Sequence, residues 1–136
     1  MRKYIIIGCG GFLGAILRYL IKGIQIYNFH GNLPLNTLII NVTGTFILAL
    51  VLTIAFEIWN FDSNIRLGIA TGFLGAYTTF STLCKEIVEL LYKGHYFIGI
   101  SYIVVSIMFG IVAVYFGIVL AREVISKLVK GKKDFE

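Results

Sequence analysis

Residues Thr71–Glu86 read T-G-F-L-G-A-Y-T-T-F-S-T-L-C-K-E, and this stretch decides how the chain folds. It lies inside a long apolar run, yet it contains two glycines and the hydroxyl side chains of Thr78, Thr79, Ser81 and Thr82. In hydrocarbon every freed backbone N–H and C=O group needs a partner within the protein. Irregular backbone is therefore tolerated there only where it is buried or lines a cavity or a bound ion. The stretch predicts a membrane helix that breaks near mid-membrane, with the break as the functional centre.

The composition of the whole chain favours a membrane protein. Of its 136 residues, 58% are apolar and only 14% are charged, whereas soluble domains contain about 25% charged residues. A membrane span needs about 20 apolar residues, and apolar runs that could supply four spans occur at residues 4–21, 34–59, 65–91 and 96–120. We therefore predict an all-α membrane protein with a single domain of four transmembrane helices over residues 1–136.

Charge and motif content argue against several other functions. The net charge of +5 comes from basic residues that flank the apolar runs, which is typical of membrane-surface anchors and topology signals and not of a nucleic-acid site. Cys9 and Cys84 lie in separate apolar runs without a CxxC motif, so we expect both to pack. His30 and His95 lie near predicted helix ends and outside any metal-binding pattern. The sequence contains no recognisable nucleophile–base pair and no cluster of metal-binding side chains, so it argues against an enzyme.

Small and polar residues follow one face of each of the first two predicted helices. In the first helix Gly10, Gly14 and Arg18 recur at intervals of four. Glycines at this spacing let helices approach closely, while Arg18 either snorkels to the surface or raises the anion concentration at a vestibule. In the second helix Asn41 cannot satisfy its carboxamide within its own helix, so it either clamps another helix or lines a polar path.

The third and fourth runs carry further polar signals. A helix that ends near Gly75 exposes carbonyl oxygens that favour a cation, and a helix that begins near Thr79 presents N–H groups that favour an anion. In the fourth run a stripe of small residues is interrupted by the hydroxyls of Tyr102 and Ser106. That stripe indicates a packing face or a polar path.

The basic residues also bear on orientation. With an even number of spans both termini lie on one side, with eight basic residues on that side and four on the other. The difference favours termini inside the cell. The four basic residues on the side opposite the termini are Arg18, Lys22, Lys85 and Lys93.

Three motifs closely resemble the Fluc (CrcB-type) fluoride channels. They are G-G-x-x-G-A-x-x-R-Y at residues 10–19, N-x-x-G-x-F at 41–46 and G-x-x-T-T-F-S-T at 75–82. The resemblance implies a channel that passively exports fluoride across the cytoplasmic membrane and so lowers its toxic concentration in the cell. It also implies an antiparallel, dual-topology dimer with two pores along the subunit interface.

The same resemblance implies a structural Na⁺ that is not transported. Its ligands would be backbone carbonyls at the positions that match Gly75 and Thr78. Phe80 matches the first pore phenylalanine of the family, but Leu83 stands where the second is expected and Gly110 where some relatives have a pathway serine. Polar residues that match the family's fluoride pathway are Thr37, Asn41, Glu86, Tyr102 and Ser106. We expect the hydroxyls of Ser81 and Thr82 to join them.

Two alternatives remain at the level of sequence. The chain could be one subunit of a heterodimeric fluoride channel, either conducting or a silent structural partner, an arrangement that would accommodate the Leu83 departure. It could also be a small dual-topology multidrug or cation exporter. That class resembles this chain less well, because its members carry a membrane-embedded carboxylate in their first helix and no Asp or Glu precedes Glu57 here.

Overall fold

The computed structural model describes residues 1–23, 34–57 and 62–133, and within these ranges the chain is helical apart from short connections. The helices are α1 (Arg2–Gly23), α2 (Leu35–Glu57), α3 (Ser63–Leu67), a π-helical segment (Gly68–Leu74), α4 (Gly75–Tyr77), α5 (Phe80–Tyr92) and α6 (Tyr96–Lys133). The all-α class is thus confirmed. His30 and the last two residues of the predicted second span, 58 and 59, lie outside the described residues.

Three of the described helices are long and apolar enough to cross a membrane: Arg2–Gly23, Leu35–Glu57 and the Tyr96–Glu123 part of α6. Each includes at least the roughly 20 residues that a bilayer requires. Helix α6 continues to Lys133 for 38 residues. At 1.5 Å per residue it is longer than the ~30 Å hydrocarbon core, so its basic end extends beyond the apolar layer.

The third apolar run folds as several shorter helices. After α4 the backbone leaves the helical region at Thr78 (φ −74°, ψ 156°) and Thr79 (φ −148°, ψ 113°), and α5 begins at Phe80. Thr79 caps α5, because its hydroxyl accepts the N–H of Thr82. Two extended residues therefore separate α4 from α5; the depth of this interruption in the membrane stays a prediction.

Helix α1 lies directly against the π-helical segment, and glycine makes this approach possible. A Cβ atom at Gly10 would collide with the carbonyl oxygen of Gly68, and one at Gly14 with that of Phe73. On the other side of the molecule α2 packs along α6, where a Cβ at Gly117 would lie 2.7 Å from the carbonyl oxygen of Phe46. Close backbone contact thus holds both helix pairs.

A small core lies between these pairs, on the inner side of the interrupted helix. Ile40, Leu74 and Tyr77 are buried there. The rings of Phe73 and Tyr77 stack with their centroids 6.3 Å apart. Many large apolar side chains of α1 and α6 remain exposed. Exposure on this scale fits helices that contact lipid or another membrane subunit.

Candidate ion pathway at the interrupted helix

Asn41 holds the extended backbone between α4 and α5. The N–H of Thr79 donates to Oδ1 of Asn41 at 2.8 Å, and Nδ2 of Asn41 donates to the carbonyl oxygen of Thr79 at 3.0 Å. The carboxamide thus pairs with a single residue much as a neighbouring strand would. Of the two roles that the sequence left open for Asn41, the clamp is present in the structure, and one N–H of its amide group remains for another acceptor.

A hydroxyl cluster continues from this clamp into the first turn of α5. Thr79 Oγ1 accepts the N–H of Thr82 at 3.2 Å and donates to Thr82 Oγ1 at 2.9 Å. Ser81 Oγ lies 3.4 Å from the same Thr79 oxygen. Thr79 is buried, whereas Ser81 is exposed. Thr79 is therefore the centre of this cluster, a role that the motif match did not assign to it.

The interruption takes the ordinary helical donors away from several carbonyl groups, among them those of Gly75 and Thr78. In a continuous helix the N–H of Thr79 would donate to Gly75 and that of Thr82 to Thr78. Both N–H groups instead donate to side chains, Asn41 Oδ1 and Thr79 Oγ1. Unwound backbone carbonyls of this kind coordinate Na⁺ in other membrane proteins. The carbonyl oxygens of Gly75 and Thr78 are therefore suitable ligands for a hard monovalent cation.

Three helices meet at a second polar cluster around Glu86. Thr37 of α2 donates to Oε1 of Glu86 at 2.7 Å, and Tyr102 of α6 donates to Oε2 at 3.0 Å. The hydroxyl of Tyr102 also lies 3.4 Å from the carbonyl oxygen of Pro34. Both hydroxyl-bearing residues are buried. Their hydrogens are committed to the carboxylate in this arrangement.

A cavity of about 370 Å³ is bordered by members of both clusters. Its lining includes two basic residues of α1, Arg18 and Lys22, and three hydroxyl residues, Thr37, Thr79 and Thr82. Its complete lining is Ala15, Arg18, Tyr19, Lys22, Thr37, Ile40, Thr79 and Thr82. Arg18 and Lys22 contribute two positive charges to this lining, and no carboxylate is among the lining residues, although that of Glu86 bonds the lining residue Thr37.

Other residues singled out from the sequence lie apart from this cavity. Phe80 is 78% exposed, and Ser81 is also on the outside of the chain. Ser106 Oγ is buried and has no hydrogen-bond partner among the described residues. Leu83 is half-buried. At Gly110 no atom lies within 4 Å of where a Cβ would stand, so this position is open.

Sequence reasoning missed two contributors to the site. Lys22 lines the cavity one turn beyond Arg18, and the i, i+4 spacing could have indicated it. Thr43 Oγ1 lies within hydrogen-bonding distance of the buried Tyr77 hydroxyl, at 2.9 Å, and so ties α2 to the end of α4. No local pattern predicts that contact, because 34 positions separate the two residues.

Comparison with known proteins gives a consistent result. The family model described as CrcB-like protein, Camphor Resistance (CrcB), matches residues 5–118. A protein of Bacillus anthracis named fluoride-specific ion channel FluC 1 is 42% identical over 113 residues, which cover 81% of this chain and 82% of that protein. A fluoride-specific ion channel FluC of Sulfurihydrogenibium sp. is 40% identical over 123 residues, which cover 90% of this chain and 98% of that protein. A fluoride-specific ion channel FluC of Clostridium perfringens (strain 13 / Type A) is 39% identical over 103 residues, which cover 76% of this chain and 80% of that protein.

Proposed function

Because the chain belongs to the CrcB-like family, we propose that it is a fluoride-specific channel through which fluoride leaves the cell passively. It is a multi-pass protein of the cell membrane and an ion channel in class, not an enzyme. The observation that carries the proposal is the cavity between the hydroxyls of the interrupted helix and the basic end of α1. It combines attraction for an anion with donors that can replace water.

The chemistry of fluoride fits such a site. Fluoride is small and holds its water tightly, so a selective pore must substitute hydrogen-bond donors for the hydration shell while it stays too narrow for larger halides. Arg18 and Lys22 would concentrate the anion at the entrance. The hydroxyl of Thr82 and the remaining N–H of Asn41 would supply donors farther in. Ser106, whose buried hydroxyl has no partner among the described residues, would extend the path along α6.

The Glu86 cluster has a different part in this proposal. A carboxylate repels fluoride, but here each of its oxygens already accepts a hydroxyl. Rotation of the Thr37 or Tyr102 hydroxyl away from Glu86 would turn it into a donor for the passing anion. We assign Glu86 the role of holding these two hydroxyls in place along the pathway.

A structural Na⁺ belongs to the same proposal. The carbonyl oxygens of Gly75 and Thr78 are its ligands from this chain, which agrees with the diversion of their helical donors to side chains. Bound there, the cation would neutralise the partial negative charge that gathers at the end of α4. It is not transported. Two carbonyls are few for one cation, so a second copy of the chain would supply an equal pair.

An antiparallel dimer accounts for the surface next to the interruption. Gly75 and Phe80 are both exposed there, and a partner subunit would cover them and place the Phe80 ring edge at the pathway. The alternative is a heterodimer with a related subunit of opposite orientation. Mapping the location of single cysteines by labelling in cells separates the two: both orientations support the homodimer, and a single orientation requires a different partner.

Growth of a bacterium that lacks its own fluoride exporter tests the proposed function in a cell. Expression of this chain should restore growth in medium containing fluoride, and a vector without the chain should not. The multidrug-exporter alternative predicts protection against cationic drugs instead. Protection against such drugs without protection against fluoride would contradict the proposal.

A further inference from the structure

We infer that Asn41 and Thr79 are positioning residues for the structural cation, because their side chains keep the Gly75 and Thr78 carbonyls free to bind it. The inference rests on the proposed function, which supplies the cation. It adds a role for two side chains that do not themselves touch the ion. In this view Asn41 serves the cation site as well as the fluoride pathway.

Asn41 acts on the Gly75 carbonyl. The N–H of Thr79 is the group that a continuous helix would donate to Gly75, and it lies 2.8 Å from Asn41 Oδ1. The second bond of the clamp, from Nδ2 to the Thr79 carbonyl at 3.0 Å, holds the extended backbone in register with α2. Without both bonds, the N–H of Thr79 could return to Gly75 and extend α4 by a turn.

Thr79 acts on the Thr78 carbonyl in the same way. Its Oγ1 accepts the N–H of Thr82, the group that would otherwise donate to Thr78. Its own hydroxyl hydrogen goes to Thr82 Oγ1 at 2.9 Å. An isosteric valine at this position removes the acceptor, and the N–H of Thr82 then competes with the cation for the Thr78 oxygen.

The position of Asn41 in α2 is itself fixed by its surroundings. Thr45 donates to the Asn41 carbonyl at 2.6 Å, and Gly44 on the same helix meets the side chains of Thr78 and Tyr77. A larger residue at Gly44 would push α2 away from the interruption. The clamp therefore depends on close packing of α2 against Tyr77 and Thr78, and the cation site is built from two helices.

The test measures the dependence of thermal unfolding on Na⁺. The full chain is purified in detergent, and the midpoint temperature is recorded across a series of Na⁺ concentrations at constant ionic strength, with N-methylglucamine as the replacement cation. The variants are Asn41→Leu, Thr79→Val and the conservative Thr79→Ser. Thr37→Val is the matched control, because it removes a buried hydroxyl that bonds Glu86 at 2.7 Å instead of the interruption.

The inference predicts a specific pattern in the Na⁺ dependence. Asn41→Leu and Thr79→Val should raise the Na⁺ concentration needed for half of the stabilisation by roughly tenfold to a hundredfold, the usual effect of losing a group that orients a metal ligand. Thr79→Ser and Thr37→Val should keep the wild-type concentration, even if Thr37→Val lowers the midpoint itself. If Asn41→Leu does not fold, the comparison of Thr79→Val with Thr79→Ser still tests whether the Thr79 side chain acts on the cation site.

Two outcomes would overturn the inference. Wild-type Na⁺ dependence in both Asn41→Leu and Thr79→Val would show that these side chains do not act on the cation site. Absence of any Na⁺-specific stabilisation in the wild-type chain would remove the cation and the inference with it. Fluoride efflux is measured on the same wild-type preparation, so that loss of the cation site is distinguished from failure of the channel proposal.

Discussion

Thr37 donates its hydroxyl hydrogen to Oε1 of Glu86 across 2.7 Å and so joins α2 to α5, although 49 positions separate the two residues. Tyr102 of α6 occupies the other carboxylate oxygen at 3.0 Å. One acceptor group thereby fixes three helices against each other. Because Thr37 also lines the cavity, the contact that stabilises the bundle lies on the proposed path of the ion.

Glu86→Gln should destabilise the protein. A carboxamide offers one oxygen acceptor where the carboxylate offered two, so the hydroxyl of Thr37 or of Tyr102 meets an N–H₂ group in place of its carboxylate acceptor. We expect the free energy of unfolding to fall by about 1–3 kcal/mol, the cost of a buried hydroxyl without an acceptor. Thermal unfolding in detergent measures this. Glu89→Gln is the control, because Glu89 forms an exposed pair with Lys85 at 3.7 Å. An equal shift in both variants would refute the assignment.

Gly14→Ala should weaken the contact between α1 and the π-helical segment. The added Cβ would collide with the carbonyl oxygen of Phe73, and overpacking of this kind costs about 1–3 kcal/mol. The expected result is a lower unfolding midpoint and less folded protein after gel filtration. Gly8→Ala on the same helix is the control, since no atom lies within 4 Å of its Cβ position. Equal midpoints for the two variants would show that α1 does not pack as described.

Arg18→Gln should slow fluoride efflux at low ionic strength by up to roughly tenfold, because it removes a positive charge from the cavity. The difference should shrink as salt is added and screens the charge. Efflux from liposomes at two ionic strengths provides the measurement. Lys93→Gln removes an exposed charge from the turn after α5, away from the cavity. Equal slowing by both variants would mean that only the net charge matters.

Phe80→Ile should reduce fluoride efflux strongly while the protein remains folded. The ring is 78% exposed on one chain, so its replacement leaves the packing of that chain intact and removes the positive ring edge from the proposed dimer pathway. Phe97→Ile, at an 84% exposed position of α6, should conduct like the wild type. Unchanged efflux in Phe80→Ile from liposomes with this chain alone would exclude the ring from the pathway, whereas unchanged efflux seen only with a co-expressed related subunit would make this chain the silent partner.

The helical class and the location of the irregular stretch follow from local sequence. Apolar runs of membrane length and the glycine and hydroxyl content of residues 71–86 are local properties, and the extended residues Thr78 and Thr79 lie within that stretch. The break between Gly75 and Thr79 was predicted, but the further division of the part before it into α3, a π-helical segment and α4 was not. Three described helices have the length and apolarity of a span, whereas residues 65–91 form shorter helices, which contact the glycines of α1 and the side chain of Asn41.

The site was less accessible to sequence reasoning. Thr37, Glu86 and Tyr102 were matched to the pathway by family resemblance, but their contacts with one another were not predicted, since helix spacing cannot reveal contacts across 49 or 16 positions. For Asn41 the sequence left open whether the side chain clamps another helix or lines a polar path, because the choice depends on which group its carboxamide meets in the folded chain. Thr79 was placed at the start of the second half-helix but was not given the role of its N-cap, although a threonine before an apolar helix is a common one.

Fluoride efflux from liposomes that contain only the purified chain tests the central claim most directly. A fluoride electrode follows the fluoride released, and a chloride electrode follows chloride in a parallel sample. The account predicts rapid loss of fluoride while chloride is retained. Loss of both halides at similar rates would contradict fluoride selectivity, and retention of fluoride, alone and with co-expressed related subunits, would contradict the channel itself.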